Sequence, residues 1–310
     1  MALDQTTLSI VHFMAFPGPG NTNSVSRSEA DPAYLLGSIR TVLSDPYFGG
    51  IEITHIKSHE DRRAVADLIR EMRPNGMEIT FACQPVQLIN EENLIAPSDI
   101  SSVDDNEREK AVARILSLLE EAAEVGATKL TLLSGRDPAY GIEDAKQAAE
   151  IREMGRVGIV RSLDTICRVA KPLGITIVLE IFDNREEADG PKAFKGQFIG
   201  PTPDAVRLAE NIRYERNYQN FGLLYDSSHM VLMQETPEAL KALKPYLAHV
   251  HVANCVTSRT AKDADQRYGD RHPKFGAAGS AVDSTVLAEF VQALVEIDYR
   301  GTIGFEVAPI

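Results

Sequence analysis

FGLLYDSSHM, residues 221–230, sets an apolar, strand-like tetrapeptide against a carboxylate, Asp226, followed three residues later by an imidazole, His229. An Asp-x-x-His pair is common by chance, so its meaning depends on what the rest of the chain carries. Seven further runs share the strand-like character: LSIVHF (8–13), GIEIT (50–54), MEITFAC (77–83), KLTLLS (129–134), ITIVLEI (175–181), AHVHVAN (248–254) and TIGFEV (302–307). Between them lie segments such as AYLLGSIRTVLSD, EREKAVARILSLLEEAAEVG and STVLAEFVQALVEI. Their apolar residues fall three and four apart, the period of an amphipathic helix. Gly or Pro often precedes a strand, as in EVGA and KPLGI, and marks a helix end. Strand and helix in alternation give a parallel sheet. Eight such units in 310 residues predict an α/β fold of the closed (β/α)8 TIM-barrel type, with 1–310 as a single catalytic domain. Glu306 lies four residues from Ile310, so this reading has the eighth helix missing. The outward residues of the last strand, Ile303, Phe305 and Val307, would then need a partner surface or remain an exposed apolar seam.

Bulk properties narrow the function. The net charge is −13, which repels phosphate backbones and argues against nucleic acid as a ligand. No run approaches the roughly 18 apolar residues of a membrane span. The N-terminal MALDQTTLSIVHFMAF lacks the basic start and long apolar core of a secretion signal. Three scattered cysteines, Cys83, Cys167 and Cys255, do not make a disulfide framework, and a cytoplasmic location is the expectation.

In a parallel barrel the functional side chains sit at the C-terminal ends of the strands. Strand five ends in Glu180, strand six in Asp226, strand seven carries His249 and His251, and strand eight ends in Glu306. Residues two apart share a face, so Thr176, Val178 and Glu180 point one way, as do Thr302, Gly304 and Glu306. Charges aimed at an apolar axis are costly unless paired or metal-bound. Glu180, Asp226, His251 and Glu306 form a hard, oxygen-rich set suited to one divalent ion, Mn2+ by preference, with Mg2+ or Co2+ as alternatives. His249 lies a layer deeper and reads as packing or as support behind the ligands. His229 could touch substrate, carry a proton or add a ligand. His12, at the end of strand one, and His55, after strand two, could line the substrate pocket. Two long loops follow strands five and seven, and the second contains YGDRHPKFG, in which Asp270, Arg271 and His272 could meet a sugar hydroxyl or carbonyl.

The ordered set VLEIFD, YDSSH, HVHVAN and GFEV resembles the sugar phosphate isomerase/epimerase group of xylose-isomerase-like barrels, over essentially the whole chain. The resemblance implies one divalent metal held by Glu180, Asp226, His251 and Glu306, with His229 and Arg271 contacting substrate. A finer resemblance, carried by EIFDNREE…FIGPT, YDSSHMVLM, HVANC…YGDRHPKFG and VHFMAF, is to the catalytic subunits of C-glycoside deglycosidases. That branch implies a 3-oxo-glycoside substrate and a small β-sandwich partner subunit. A β-subunit or a homo-oligomer would equally cover the strand-eight side.

Enolisation is the chemistry this set suits: a metal chelates a carbonyl and its neighbouring hydroxyl while a base removes the proton between them. Loss of a β-substituent would then make the protein a C-deglycosidase-type lyase. Reprotonation would make it a ketose 3-epimerase or an aldose–ketose isomerase acting on an unphosphorylated sugar. His229 is the first candidate proton carrier and His272 the second. In many epimerases of the resembled group a metal-bound Glu is the base, which would give Glu180 and Glu306 dual roles. An apurinic-endonuclease-like repair enzyme would need further His ligands on the early strands, and FACQP and TLLSG supply none. A non-catalytic sugar-binding barrel would not be expected to keep a complete ligand set.

Overall fold

The computed structural model describes residues 5–17, 31–73, 75–88, 99–182, 196–257 and 269–308. Eight parallel strands close on themselves in sequence order, β1 pairing with both β2 and β8. The strands are β1 (Thr7–Val11), β2 (Gly50–Thr54), β3 (Glu78–Ala82), β4 (Lys129–Leu132), β5 (Thr176–Glu180), β6 (Phe221–Asp226), β7 (Leu247–Ala253) and β8 (Thr302–Glu306). Each lies within a residue or two of a run read from the sequence.

The helices are α1 (His12–Ala15), α2 (Pro32–Ser44), α3 (His59–Met72), α4 (Gln84–Leu88), α5 (Asp105–Glu124), α6 (Ala145–Ala170), α7 (Thr202–Glu210), α8 (Ser227–Leu232), α9 (Ala239–Leu243) and α10 (Ser284–Glu296). Their starts are chemically marked. Asp104 accepts from the amides of Asn106 and Glu107 to begin α5, and Asp283 accepts from those of Thr285 and Val286 to begin α10. Outward strand residues such as Ile177, Leu179, Leu223 and Val250 meet the apolar faces of the helices in one continuous core. Among the described residues no helix follows β8. The expected seam is narrower than the sequence implied: Ile303 is buried, while Phe305, half-buried, packs edge-on against Phe48 at 6.2 Å.

The barrel interior is polar and layered. Near the N-terminal end, Lys129 pairs with Glu78 and donates to Thr302 Oγ1 at 2.7 Å. Above them lie Glu52, Thr131, His249 and His251, and Glu180, Asp226 and Glu306 end their strands at the C-terminal mouth. A register shift between Leu223 and Leu224 brings Asp226 opposite His251 and Leu224 opposite His249. His251 in turn pairs with Gly304 on β8. A Cβ at Gly304 would lie 3.0 Å from His251 Cδ2, so glycine there makes room for the imidazole.

Two site candidates from the sequence are placed by this scaffold. β1 ends at Val11, so His12 opens α1 instead of closing the strand. Its Nε2 lies 2.8 Å from Ser38 Oγ, and its ring stacks on Phe16 at 5.4 Å. His55 Nδ1 is 2.8 Å from Glu121 Oε2, which ties β2 to α5. Both histidines line one cavity between β2, α1 and α2, beside Phe13, Tyr34 and Ile53. The loops noted after β5 and β7 fall largely in 183–195 and 258–268, outside the described residues.

Two stability measurements test this packing. Phe290 on α10 is fully buried and stacks with Tyr225 at 6.3 Å. Phe290→Ala should cost about 3–5 kcal/mol in denaturant unfolding; a loss below about 1 kcal/mol would mean the helix does not pack as described. Burial pushes the pKa of His12 from 6.5 down to about 4. The unfolded imidazole therefore takes up a proton in that window and the folded one does not. Stability from this group is complete above about pH 6.5 and falls by up to about 3 kcal/mol as the pH drops to about 4. His12→Asn should remove that component, so its stability relative to the parent should improve between pH 7 and 4. A pH-independent difference would contradict the buried neutral imidazole.

Candidate metal centre and active site

Glu180, Asp226, His251 and Glu306 converge: one ligand atom from each lies within 4.8 Å of the other three. Four different strands supply them, and the side-chain phase read from the sequence delivers each to the same mouth. His251 Nδ1 is 2.9 Å from Glu306 Oε2, 3.8 Å from Asp226 Oδ2 and 3.9 Å from Glu180 Oε1. The first of these contacts lacks hydrogen-bond geometry. Asp226 Oδ2, His251 Nδ1 and Glu306 Oε2 are all buried without a hydrogen-bond partner.

The other oxygens are committed. Asp226 Oδ1 accepts from the amide of Ser228 and caps α8. Glu180 Oε2 accepts from Gln84 Nε2 at 2.9 Å, and Gln84 Oε1 accepts from Thr131 Oγ1 at 2.8 Å. The set therefore turns unpartnered carboxylate oxygens and an imidazole nitrogen toward one another while the scaffold holds their far sides. Such a donor set fits a hard divalent cation.

Electrostatics point the same way. Burial, together with the negative charges of Glu306 and Asp226, outweighs the neighbouring imidazoles and pushes Glu180 up to about 7. Asp226 is raised as well, first by burial and then by Glu306. Burial also opposes the charge of Glu306, but His272 and His251 overcome it and hold that carboxyl low. Three carboxylates cannot share this space cheaply without positive charge among them.

A second layer surrounds the cluster. His229, on α8, is fully buried, with Nδ1 3.0 Å from the Ile181 carbonyl and Nε2 3.2 Å from Asp270 Oδ2. Both neighbours are acceptors, so both nitrogens donate and the ring is cationic. Burial opposes this charge, but Asp270, Asp226 and Glu180 overcome it and raise the pKa to about 10. Phe182 covers the ring at 4.0 Å. His272 Nε2 lies 3.1 Å from Asp270 Oδ1 and 3.6 Å from Glu306 Oε1. Its backbone sits at φ 49°, a left-handed conformation uncommon outside glycine and often found at functional sites. Asp270 thus carries two imidazoles next to the cluster. Arg271, the third member of that segment, is exposed.

Glu52 and Gln84 were not singled out in the sequence. Glu52 is fully buried in β2, its Oε2 2.9 Å from His249 Nε2 and 3.0 Å from His251 Nε2. Burial opposes its charge, yet His251 and His249 bring its pKa down to about 2. Glu52, His249 and His251 could also gather a cation, but hydrogen bonds already satisfy the facing atoms, whereas those of the upper cluster are unsatisfied. The clue to Glu52 was an acid in the middle of GIEIT, in phase with Gly50 and Thr54.

No curated protein sequence matches the chain. Among solved structures, D-psicose 3-epimerase from Clostridium cellulolyticum H10, crystallised with D-tagatose, is 17% identical with a TM-score of 0.62, over 98% of this chain and 85% of that one. D-allulose 3-epimerase from Methylomonas sp. in complex with D-allulose is 18% identical with a TM-score of 0.62, over 99% and 86%. The 3-keto-D-glucoside 4-epimerase from E. coli is 16% identical with a TM-score of 0.59, over 98% and 92%. At these identities the likeness establishes the fold. The model of one family matches residues 42–309, well over half the sequence, and the chain belongs to that family, the xylose isomerase-like TIM barrels.

Proposed function

We propose that the protein is a divalent-metal-dependent epimerase or isomerase of an unphosphorylated keto-sugar, with Glu180, Asp226, His251 and Glu306 as the metal ligands. One observation carries the reading: Asp226 Oδ2, His251 Nδ1 and Glu306 Oε2 are buried without partners at the point where Glu180 meets them. A divalent ion bound there supplies Lewis-acid polarisation of a substrate carbonyl. Mn2+ remains the preferred ion on donor chemistry.

The chain's own residues would do the rest. Glu180 and Glu306 are the candidates to remove the proton beside the carbonyl and to return one. Sequence left the base open between a carboxylate and His229. Because both nitrogens of His229 already donate, to the Ile181 carbonyl and to Asp270, the carboxylates are the better choice of base and His229 anchors Asp270 beside the cluster. His272 has the same role from the other arm of Asp270. Gln84 orients Glu180, and Phe182 keeps water from His229. Arg271, being exposed, is a weaker substrate ligand than the resemblance implied, and His12 and His55 are better read as supports of α1, α2 and α5.

The three named relatives are epimerases of D-psicose, D-allulose and a 3-keto-D-glucoside. Their names favour epimerisation over elimination of a C-linked aglycone. Elimination remains the second reading because the stretches EIFDNREE, YDSSHMVLM and YGDRHPKFG resemble the deglycosidase branch. Both readings begin with the same proton removal and differ in its sequel. On the second reading a small β-subunit would meet the half-buried Phe305 and Val307.

Proton exchange distinguishes them. Incubated in D2O with Mn2+ and either a ketohexose or a 3-keto-glucoside, the protein should place deuterium at the carbon beside the carbonyl and yield the epimer. Aglycone release from a 3-oxo-C-glucoside, with neither sugar converted, would replace this reading by the lyase. Glu180→Gln and Asp226→Asn should each lose stoichiometric metal and at least about a hundredfold in exchange rate, whereas His249→Asn should retain the ion.

A further inference from the structure

We propose that Glu52 is a positioning residue: its carboxylate accepts from Nε2 of both His249 and His251 and so leaves Nδ1 of His251 as the lone pair facing Glu180, Asp226 and Glu306. The proposal rests on the reading that those four residues hold a cation. It extends the site to β2, a strand that supplies no ligand.

The geometry constrains the protons. A carboxylate can only accept, and an imidazole that ligates a cation through one nitrogen carries its single N–H on the other. The ring nitrogen 3.0 Å from Glu52 Oε2 is therefore the protonated one, and Nδ1 of His251 is free to ligate. A metal-binding imidazole typically has its other nitrogen held in this way. His249 is the brace. Its Nε2 ends on the same oxygen at 2.9 Å, and its ring meets that of His251 edge-on, with centroids 4.9 Å apart. Its Nδ1 is buried without a partner, so moving the proton there would orphan an N–H and turn a lone pair toward the carboxylate. Glu52 Oε1 lies 3.5 Å from Thr131 Oγ1 on β4, and Gly304 leaves the space both rings occupy.

Glu52 is wholly buried, and the donors to its carboxylate among the described residues are these two rings. A charge there would be costly if its task were packing alone. The arrangement accounts for both histidines of HVHVAN, one as ligand and one as the clamp that stops the shared carboxylate from turning.

The test is 15N-histidine long-range NMR of the Mg2+-loaded protein, together with Mn2+ titration calorimetry. In the parent protein His251 should carry its single proton on Nε2; a proton on Nδ1 overturns the proposal without any variant. Glu52→Leu removes both acceptor oxygens and should weaken Mn2+ binding about 10- to 100-fold while abolishing the Nε2–H pattern. Glu52→Gln keeps one acceptor oxygen and should preserve the pattern, with a clearly smaller loss of affinity. Unchanged affinity in Glu52→Leu, or equal losses in both variants with the parental nitrogen pattern, would contradict the role. A Glu180→Gln protein that still binds one Mn2+ at parental affinity would instead remove the underlying site assignment, whatever Glu52 does.

Discussion

Three carboxylates and one imidazole share the mouth of a closed barrel from which water is largely excluded, and their mutual repulsion is the constraint around which the interior is arranged. Burial alone would drive these acids toward neutrality. The surrounding groups act against that: Gln84 donates to Glu180, the amide of Ser228 to Asp226, and the imidazole charges of His272 and His251 hold Glu306 ionised. Each donor engages an oxygen on the far side of the cluster or balances its charge from beside it. The near sides stay unsatisfied, an arrangement that costs stability in a protein with no ligand for it. A bound cation removes that cost, and its affinity would then be linked to folding of the mouth.

The scaffold's part is register. The irregularity in β6–β7 places Asp226 beside His251, and Gly304 lets the imidazole stand upright between β7 and β8. Below, the Lys129–Glu78 pair and Thr302 close the barrel with a polar layer of their own. The four clustered residues are thus all set on strands. Among the described residues, Asp270 and His272 come to the cluster from the segment after β7, and they are held there by His229 and Glu306.

What the sequence made legible was everything that depends on period and order. Strand phase alone put Glu180 and Glu306 on the inward face, and chain order put the four candidate ligands on β5 to β8. What it concealed was contact across the barrel. Glu52 is separated from His249 by 197 positions and from His251 by 199, and no local pattern encodes such a pairing. Gln84 was hidden for the same reason, since its partner Glu180 is 96 positions away. His12 was misplaced by a single residue, because a short helix follows β1 without a break and apolar periodicity does not separate the two.

The most direct test of the central claim is the anomalous diffraction of a Mn2+-soaked crystal at the manganese edge. The account predicts one peak per chain, within ligand distance of Glu180, Asp226, His251 and Glu306. A peak enclosed by Glu52, His249 and His251, or no peak at saturating Mn2+, would contradict it.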